Sequence, residues 1–128
     1  MKLRKNQSLS SFRKLIWDEM SRYVRQKHAD WRGYVRCYTC GKIMKWGESD
    51  CGHLRHINAL DFNLDNLRVQ CFSCNRMRSG RGDIFALKLV KEIGLKRVNA
   101  LYKINVHQFT FTELKKIRER IKKLIKEL

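Results

Sequence analysis

The chain has 128 residues, which suits one domain, and its 29 Lys and Arg against 12 Asp and Glu give a formal net charge of +17. This charge favours a polyanionic partner, most naturally nucleic acid, over a merely solvated surface or a membrane surface, because no strongly apolar helix face accompanies it. An odd count of five cysteines and the lack of any run of about 18 apolar residues argue against a secreted disulfide scaffold and a membrane span. The basic start has no apolar stretch of the signal-peptide kind. We expect a reduced, cytoplasmic compartment.

The positive charge is concentrated in the two flanks of the chain. Residues 1–36 carry 10 Lys and Arg against 3 Asp and Glu, and residues 81–128 carry 13 against 5. Between these flanks, residues 37–80 are nearly balanced in charge, with 6 Lys and Arg against 4 Asp and Glu. The flanks are therefore the predicted contacts to a polyanion.

The first predicted element is a helix over residues 10–29, with Ser10 or Ser11 as its cap. Basic residues fill the other face of this helix, opposite apolar residues that recur at helical spacing: Phe12, Leu15, Ile16, Met20, Tyr23 and Val24.

Short strands are predicted next, separated by turns rich in Gly, Asn and Asp. Between the first two strands, residues 37–41 form a zinc-knuckle turn in which Gly41 adopts a positive φ. The predicted strands are 34–36, 43–46, 50–54 and 67–70.

Helices dominate the rest of the chain. A short helix is predicted after Asn75 and ends within residues 79–82. A second covers residues 84–93, with Asp83 as its cap and Gly94 as its end, and residues 95–103 continue as a helical segment.

The final helix carries a heptad seam behind a capping box of Thr110 and Glu113. The seam, which spans only about two heptads, either packs on its own domain or forms a dimer. Its residues are Leu114, Ile117, Ile121, Leu124 and Leu128.

Two C-x-x-C pairs lie about 30 residues apart, at Cys37/Cys40 and Cys71/Cys74. Each tight turn supplies two sulfur ligands, and four thiolates make a closed structural zinc site. A redox C-x-x-C is the alternative, but it leaves the second pair unexplained. Cys51 is expected to be a small buried strand residue, outside the metal site.

Three polar residues near these pairs match the needs of phosphodiester hydrolysis. Asp50 and His53 lie on one predicted strand, and Asn75 directly follows the last cysteine. An imidazole can take a proton from water, while carboxylate and amide oxygens suit Mg²⁺ or Mn²⁺. A structural His and a helix-capping Asn are the plainer alternatives.

Several motifs together resemble a known family. They are D-C-G-H-L at 50–54, L-D-F-N-L-D-N-L at 60–67, Q-C-F-S-C-N at 70–75 and S-G at 79–80. D-x-x-H followed by C-x-x-C-N resembles the ββα-metal (HNH) nucleases of the endonuclease VII type. The fuller pattern is similar to the NinG/Rap recombination family of lambdoid-type phages, and this similarity spans most of the chain.

The resemblance implies an α+β fold with a small treble-clef zinc and ββα-metal core, flanked by N- and C-terminal α-helices. It also implies a Mg²⁺- or Mn²⁺-dependent endonuclease that cleaves Holliday junctions and other branched recombination intermediates, such as D-loops. In it, His53 would be the general base, Asp50 and Asn75 would hold the catalytic metal, and Asn66 would brace the loop that positions His53. The protein would then act in the cytoplasm of a phage-infected bacterium.

Four arginines are the predicted DNA contacts. Arg76, Arg78 and Arg81 follow the metal-binding turn, and Arg55 is a weaker candidate. A solvated helix face is the alternative for each. His56 is either a spare ligand or a DNA contact. Since a four-way junction has approximate two-fold symmetry, a homodimer is expected.

We expect a single domain over residues 1–128. It comprises a basic helical segment over 1–33, a zinc-stapled nuclease core over 34–82, and C-terminal helices over 83–128 that serve dimerisation or DNA binding. The main rival function is a zinc-dependent DNA-binding protein without catalysis. An RNA-binding protein and a nickase that cuts plain duplex are two others.

Overall fold

The computed structural model describes residues 8–128 and combines helices with small sheets. This confirms the mixed α+β class. Lys2, Arg4 and Lys5 of the predicted basic segment lie outside the described residues. The regular elements are α1 (Leu9–Lys27), β1 (Tyr34–Arg36), β2 (Ile43–Lys45), β3 (Asp50–His53), β4 (Leu67–Gln70), α2 (Gly82–Ile93), α3 (Leu95–Lys103) and α4 (Phe111–Lys126).

Helix α1 begins at Leu9, one residue earlier than predicted, and its cap is Ser8. The side chain of Ser8 accepts a hydrogen bond from the backbone N–H of Ser11 at 3.1 Å. Ser10 and Ser11 were therefore wrong as caps, because they lie in the first turn, where free N–H groups need an acceptor. The predicted apolar face is buried at Phe12, Ile16, Met20, Tyr23 and Val24.

Two antiparallel hairpins follow α1. In the first, Tyr34 pairs with Lys45 and Arg36 with Ile43. In the second, β3 pairs with β4 so that Asp50 lies opposite Gln70. Predicted strands 34–36 and 67–70 are confirmed, and the other two end one residue earlier than predicted.

Helix α4 packs against α1 of the same chain. Leu114 and Ile121 are buried, and Ile117 and Leu124 pack against the same core, whereas Leu128 is 56% exposed. Across this contact, Arg118 Nε donates to Glu19 Oε1 at 2.8 Å. The heptad seam therefore packs on its own domain, which was the first of the two predicted alternatives. A homodimer stays a prediction, and it would need another surface.

Helices α2 and α3 enclose a second, smaller core. Arg81 occupies the cap position of α2, so Asp83 was wrong as the cap and lies in the first turn instead. In the first turn its negative carboxylate still interacts favourably with the helix dipole. Gly94, at φ +90°, ends α2 as predicted. The buried residues of this core are Leu54, Leu60, Phe85, Leu89, Val98 and Leu101.

Within residues 8–128, no helix has the length and apolar character needed to cross a membrane.

Candidate functional site

The four paired cysteines converge at one point. The sulfur atoms of Cys37, Cys40, Cys71 and Cys74 all lie within 4.8 Å of one another, and the Sγ atoms of Cys40 and Cys71 are 3.7 Å apart. A tetrahedron with zinc–sulfur bonds of about 2.3 Å has edges of about 3.8 Å. The cluster therefore fits a structural zinc ion.

The surroundings of Cys37 and Cys74 lower the pKa of these two thiols and favour their thiolates, whereas the pKa values of Cys40 and Cys71 are raised. Burial raises the pKa of Cys37, but hydrogen bonds from the Thr39 hydroxyl and from backbone N–H groups outweigh it and lower this pKa to about 6. The guanidinium of Arg81 donates to Cys74 Sγ at 3.9 Å. Such outer groups orient ligands and stabilise their charge.

Cys51 stays outside the cysteine cluster. It lies on β3, only 6% exposed, and burial raises the pKa of its thiol to about 12. A buried neutral thiol of this kind is neither a nucleophile nor a metal ligand. The prediction of a small buried strand residue is confirmed.

The three predicted catalytic residues line one cleft. Asp50 and His53 enter it from β3, and Asn75 enters it from the turn that follows Cys74. The cleft measures about 570 Å³, and His56 and Arg76 also line it. Residues 25 positions apart in sequence thus line one cleft.

Asn75 lies within a single π-helical turn, Ser73–Met77. The turn is closed by the backbone N–H of Arg78, which donates to the carbonyl of Ser73. The prediction of a helix starting after Asn75 was wrong, since the turn already begins at Ser73. Three left-handed residues follow it, from Ser79 to Arg81. Turns of this type often occur at functional sites.

The carboxylate of Asp50 is fully engaged. Asn75 Nδ2 donates to its Oδ2 at 3.0 Å, and Arg76 donates to both oxygens, at 3.1 Å and 3.3 Å. The side chain of Arg76 is 62% exposed, while that of Asp50 is only 18% exposed. Arg76 therefore neutralises a half-buried carboxylate at the edge of the cleft.

His53 is held by residues that the sequence did not point to. Its ring stacks on Trp17 of α1, with centroids 4.7 Å apart. Its Nε2 lies 3.3 Å from Asp61 Oδ1 without hydrogen-bond geometry, so this buried atom has no hydrogen-bond partner in the described structure. Asp61 in turn pairs with Arg13. The contacts of Trp17 with His53 and of Arg13 with Asp61 are long-range, and no local pattern indicated the approach of Asp61 to His53 eight residues earlier.

His56 lies beside His53, with ring centroids 5.2 Å apart. Burial and the neighbouring His53 lower the pKa of His56. The lowered pKa means that the imidazole of His56, which lines the cleft, is neutral near neutral pH. Its predicted role as a spare ligand or DNA contact stays a prediction.

Gln70 connects the cysteine cluster to the cleft. The side chain is fully buried, and its Nε2 donates to Thr39 Oγ1 at 3.1 Å and to the Gly80 carbonyl at 2.8 Å. A Cβ at Gly52 would lie only 1.9 Å from Gln70 Oε1. Gly52 thus leaves the space through which Gln70 reaches across β3.

Asn66 is fully buried beneath the loop that follows His53. Its Oδ1 accepts from the backbone N–H of Arg55, and its Nδ2 donates to the carbonyls of Arg55 and Leu60, at 3.0 Å and 3.4 Å. These contacts fix the loop. That the loop thereby positions His53 for catalysis stays a prediction.

The four predicted DNA-contacting arginines have different surroundings. Arg55 donates to the carbonyls of Leu101 and Ile104 at the end of α3, so we assign it a structural role. Arg81 lies against Cys74, as described above. Arg76, which lines the cleft, and Arg78 are both exposed.

Comparisons with known proteins agree on one family. A family model described as "Bacteriophage Lambda NinG protein" matches residues 1–128. The chain is 28% identical over 127 residues to "Protein ninG" of Escherichia phage lambda, covering 91% of this chain and 62% of that protein. It is 27% identical to the proteins of the same name from Escherichia phage 933W and Salmonella phage P22, over 91% of this chain and 63% and 62% of theirs.

The chain thus spans less than two thirds of the length of these relatives. No solved structure matches it. The match over the whole chain confirms the family expected from the fuller pattern of motifs between residues 50 and 80, and the chain belongs to the NinG family of bacteriophage proteins.

Proposed function

We propose that this protein is a metal-dependent DNA endonuclease that cleaves branched DNA, such as Holliday junctions and D-loops, in the cytoplasm of the host bacterium. The observation that carries the proposal is the convergence of Asp50, His53 and Asn75 on one cleft. A cysteine cluster stapled to that cleft through Gln70 supports it, because hydrolysis needs groups held rigidly in place.

The core supports assignment to the treble-clef, ββα-metal class. A cysteine knuckle flanked by the β1–β2 hairpin packs beside the β3–β4 hairpin, and the second cysteine pair leads into the turn that carries Asn75. This order of knuckle, hairpin and cysteine-bearing turn is what the HNH resemblance implies.

The donor set at the cleft fits a divalent cation such as Mg²⁺ or Mn²⁺. Asp50 offers a carboxylate and Asn75 an amide oxygen, which are the hard ligands these ions prefer. When bound there, the ion supplies a Lewis acid for the charge that develops on the phosphate and the leaving oxygen.

In this proposal, His53 takes a proton from the water that attacks phosphorus. Stacking on Trp17 holds the plane of its ring. Arg76 and Arg78 hold the phosphates of the strand, and water attack leaves a 5′-phosphate and a 3′-hydroxyl. Shape, more than sequence, guides this binding, because no base-reading motif is evident.

A DNA-binding protein without catalysis is the second candidate, and one observation favours it. Both oxygens of Asp50 already accept hydrogen bonds from Arg76. In a purely structural site this ion pair would persist, whereas in the nuclease it must open when the metal binds.

A cleavage assay separates the two candidates. We expect the wild type to cut a synthetic four-way junction in Mg²⁺ or Mn²⁺ in preference to a matched linear duplex. His53→Ala and Asn75→Ala should bind the junction normally and not cut it. Binding without cleavage in any metal would refute the nuclease, and equal cutting of both substrates would refute the preference for branches.

A further inference from the structure

A surface beside the cleft alternates aromatic and basic side chains. On the outward face of the β1–β2 hairpin stand Tyr34, Arg36, Ile43 and Lys45, while Val35 and Met44 between them are buried. A groove of about 410 Å³ runs between this face and Phe72. Because Phe72 and Ile43 are 52% and 56% exposed, apolar area faces solvent on both sides of the groove.

The groove is joined to the cleft by direct contacts. The guanidinium of Arg76, which binds Asp50, also lies over the ring of Phe72, 5.1 Å from its centroid. At the far end, Arg32 lies 5.4 Å from the Tyr34 centroid and 5.7 Å from that of Trp31. Trp31 is 93% exposed. One path therefore leads from the cleft to Trp31.

The charge of this path fits a nucleic-acid strand. Five cations lie along it, at Arg32, Arg36, Lys42, Lys45 and Arg76, against the three acids Asp30, Glu48 and Asp50. Asp30 pairs with Arg32 and Asp50 with Arg76, so the path keeps a net positive charge. Exposed rings between cations are how proteins hold unpaired bases, since each base stacks on a ring while the cations follow the phosphates. A paired duplex, whose bases are stacked within the helix, offers nothing to these rings.

We propose that this surface, formed by Trp31, Tyr34, Ile43, Lys45 and Phe72, binds a single-stranded DNA segment adjoining the cleft. The inference rests on the proposed function and narrows it, because the favoured substrate is then a branch with an unpaired strand, such as a D-loop or a flap. The strand passes over Phe72 and reaches the cleft beside Arg76.

Binding without added divalent cation tests this surface apart from cleavage. The probe is a labelled single-stranded oligothymidylate of about 15 nucleotides, followed by fluorescence anisotropy and compared with a duplex of equal length. Phe72→Ala and Trp31→Ala should each weaken binding of the single strand about tenfold and leave duplex binding unchanged. Leu87→Ala is the matched control, because Leu87 is 68% exposed on α2, outside the groove.

The outcomes separate the two proposals. If both variants bind the single strand as tightly as Leu87→Ala does, or lose single-strand and duplex binding equally, the surface is not a single-strand site, even where junction cleavage persists. If the single strand binds as expected but no DNA is cut in Mg²⁺, the nuclease fails and this inference stands. A change in sedimentation with unaltered single-strand binding would mark the surface as a protein contact and overturn it. Because Phe72 is next to Cys71, the zinc content of Phe72→Ala is measured to verify that this variant is folded. Trp31→Ala tests the same surface at an exposed side chain, where the substitution should not affect folding.

Discussion

Replacing Gly52 by alanine tests how the cleft strand is locked to the cysteine cluster. The new Cβ would lie 1.9 Å from Oε1 and 2.7 Å from Cδ of Gln70. Gln70 cannot yield without cost, because its Nε2 holds Thr39 and Gly80 in a fully buried position. Two buried hydrogen bonds at about 1–2 kcal/mol each give an expected loss of about 2–4 kcal/mol in the free energy of unfolding.

Urea denaturation of the zinc-loaded protein, followed by far-UV circular dichroism, measures this loss. The single variants Gly52→Ala and Gln70→Ala are compared with the double variant. Without the Gln70 side chain the collision disappears, so adding Gly52→Ala should then cost less than about 1 kcal/mol. Gly47→Ala is the matched control, because a Cβ there meets no atom within 4 Å, and it should change stability by less than about 0.5 kcal/mol.

The double variant also provides the refutation. If Gly52→Ala costs the same with and without the Gln70 side chain, the collision is not the cause. A cost no larger than that of Gly47→Ala would show that the buried amide moves freely, and Gln70 could then not be the link between the cysteine cluster and the cleft.

Three further predictions concern the metal sites and the loop. Cys37→Ser should lose bound zinc and unfold. The control Cys51→Ser should keep one zinc ion per chain, measured by atomic absorption. A Cys37→Ser variant that is folded but free of zinc would refute the structural site. Asn66→Ala removes three buried hydrogen bonds, so stability should fall by about 2–4 kcal/mol in urea titrations, and a loss below about 0.5 kcal/mol would contradict the brace. Arg76→Ala frees the Asp50 carboxylate, so the Mg²⁺ concentration for half-maximal cleavage should fall several-fold; an unchanged or higher value would show that Arg76 does not compete with the metal.

Features with a local cause could be predicted from the sequence. The apolar period placed the helices within a few residues, and Thr110 with Glu113 forms the predicted capping box. Each C-x-x-C turn brings its own two sulfurs together, and a shared metal was the reason to expect that the two pairs meet, as they do. Turns rich in Gly, Asn and Asp likewise marked the limits of the short strands.

Features that depend on long-range packing could not be predicted. Nothing in the sequence near His53 indicates that Trp17 will stack on its ring or that Asp61 will face its Nε2. Arg55 was a weaker candidate for a DNA contact, and in the structure it donates to the carbonyls of Leu101 and Ile104 at the end of α3. The predicted cap of α2 failed for a smaller reason: Asp83 lies two positions past Arg81, the left-handed residue at the cap of this helix.

The ion pair of Arg76 with Asp50 connects the two proposals. A carboxylate only 18% exposed is poorly solvated, so it needs a cation beside it whether or not a metal is bound. In the nuclease, a divalent ion at Asp50 would take over that role and release Arg76, which already touches the Phe72 ring at the end of the groove. The freed guanidinium would then lie where the strand enters the cleft and could bind its phosphate. Metal binding and strand binding should therefore reinforce each other, so single-stranded DNA should bind wild type more tightly when Mg²⁺ is present but gain nothing from Mg²⁺ in Arg76→Ala.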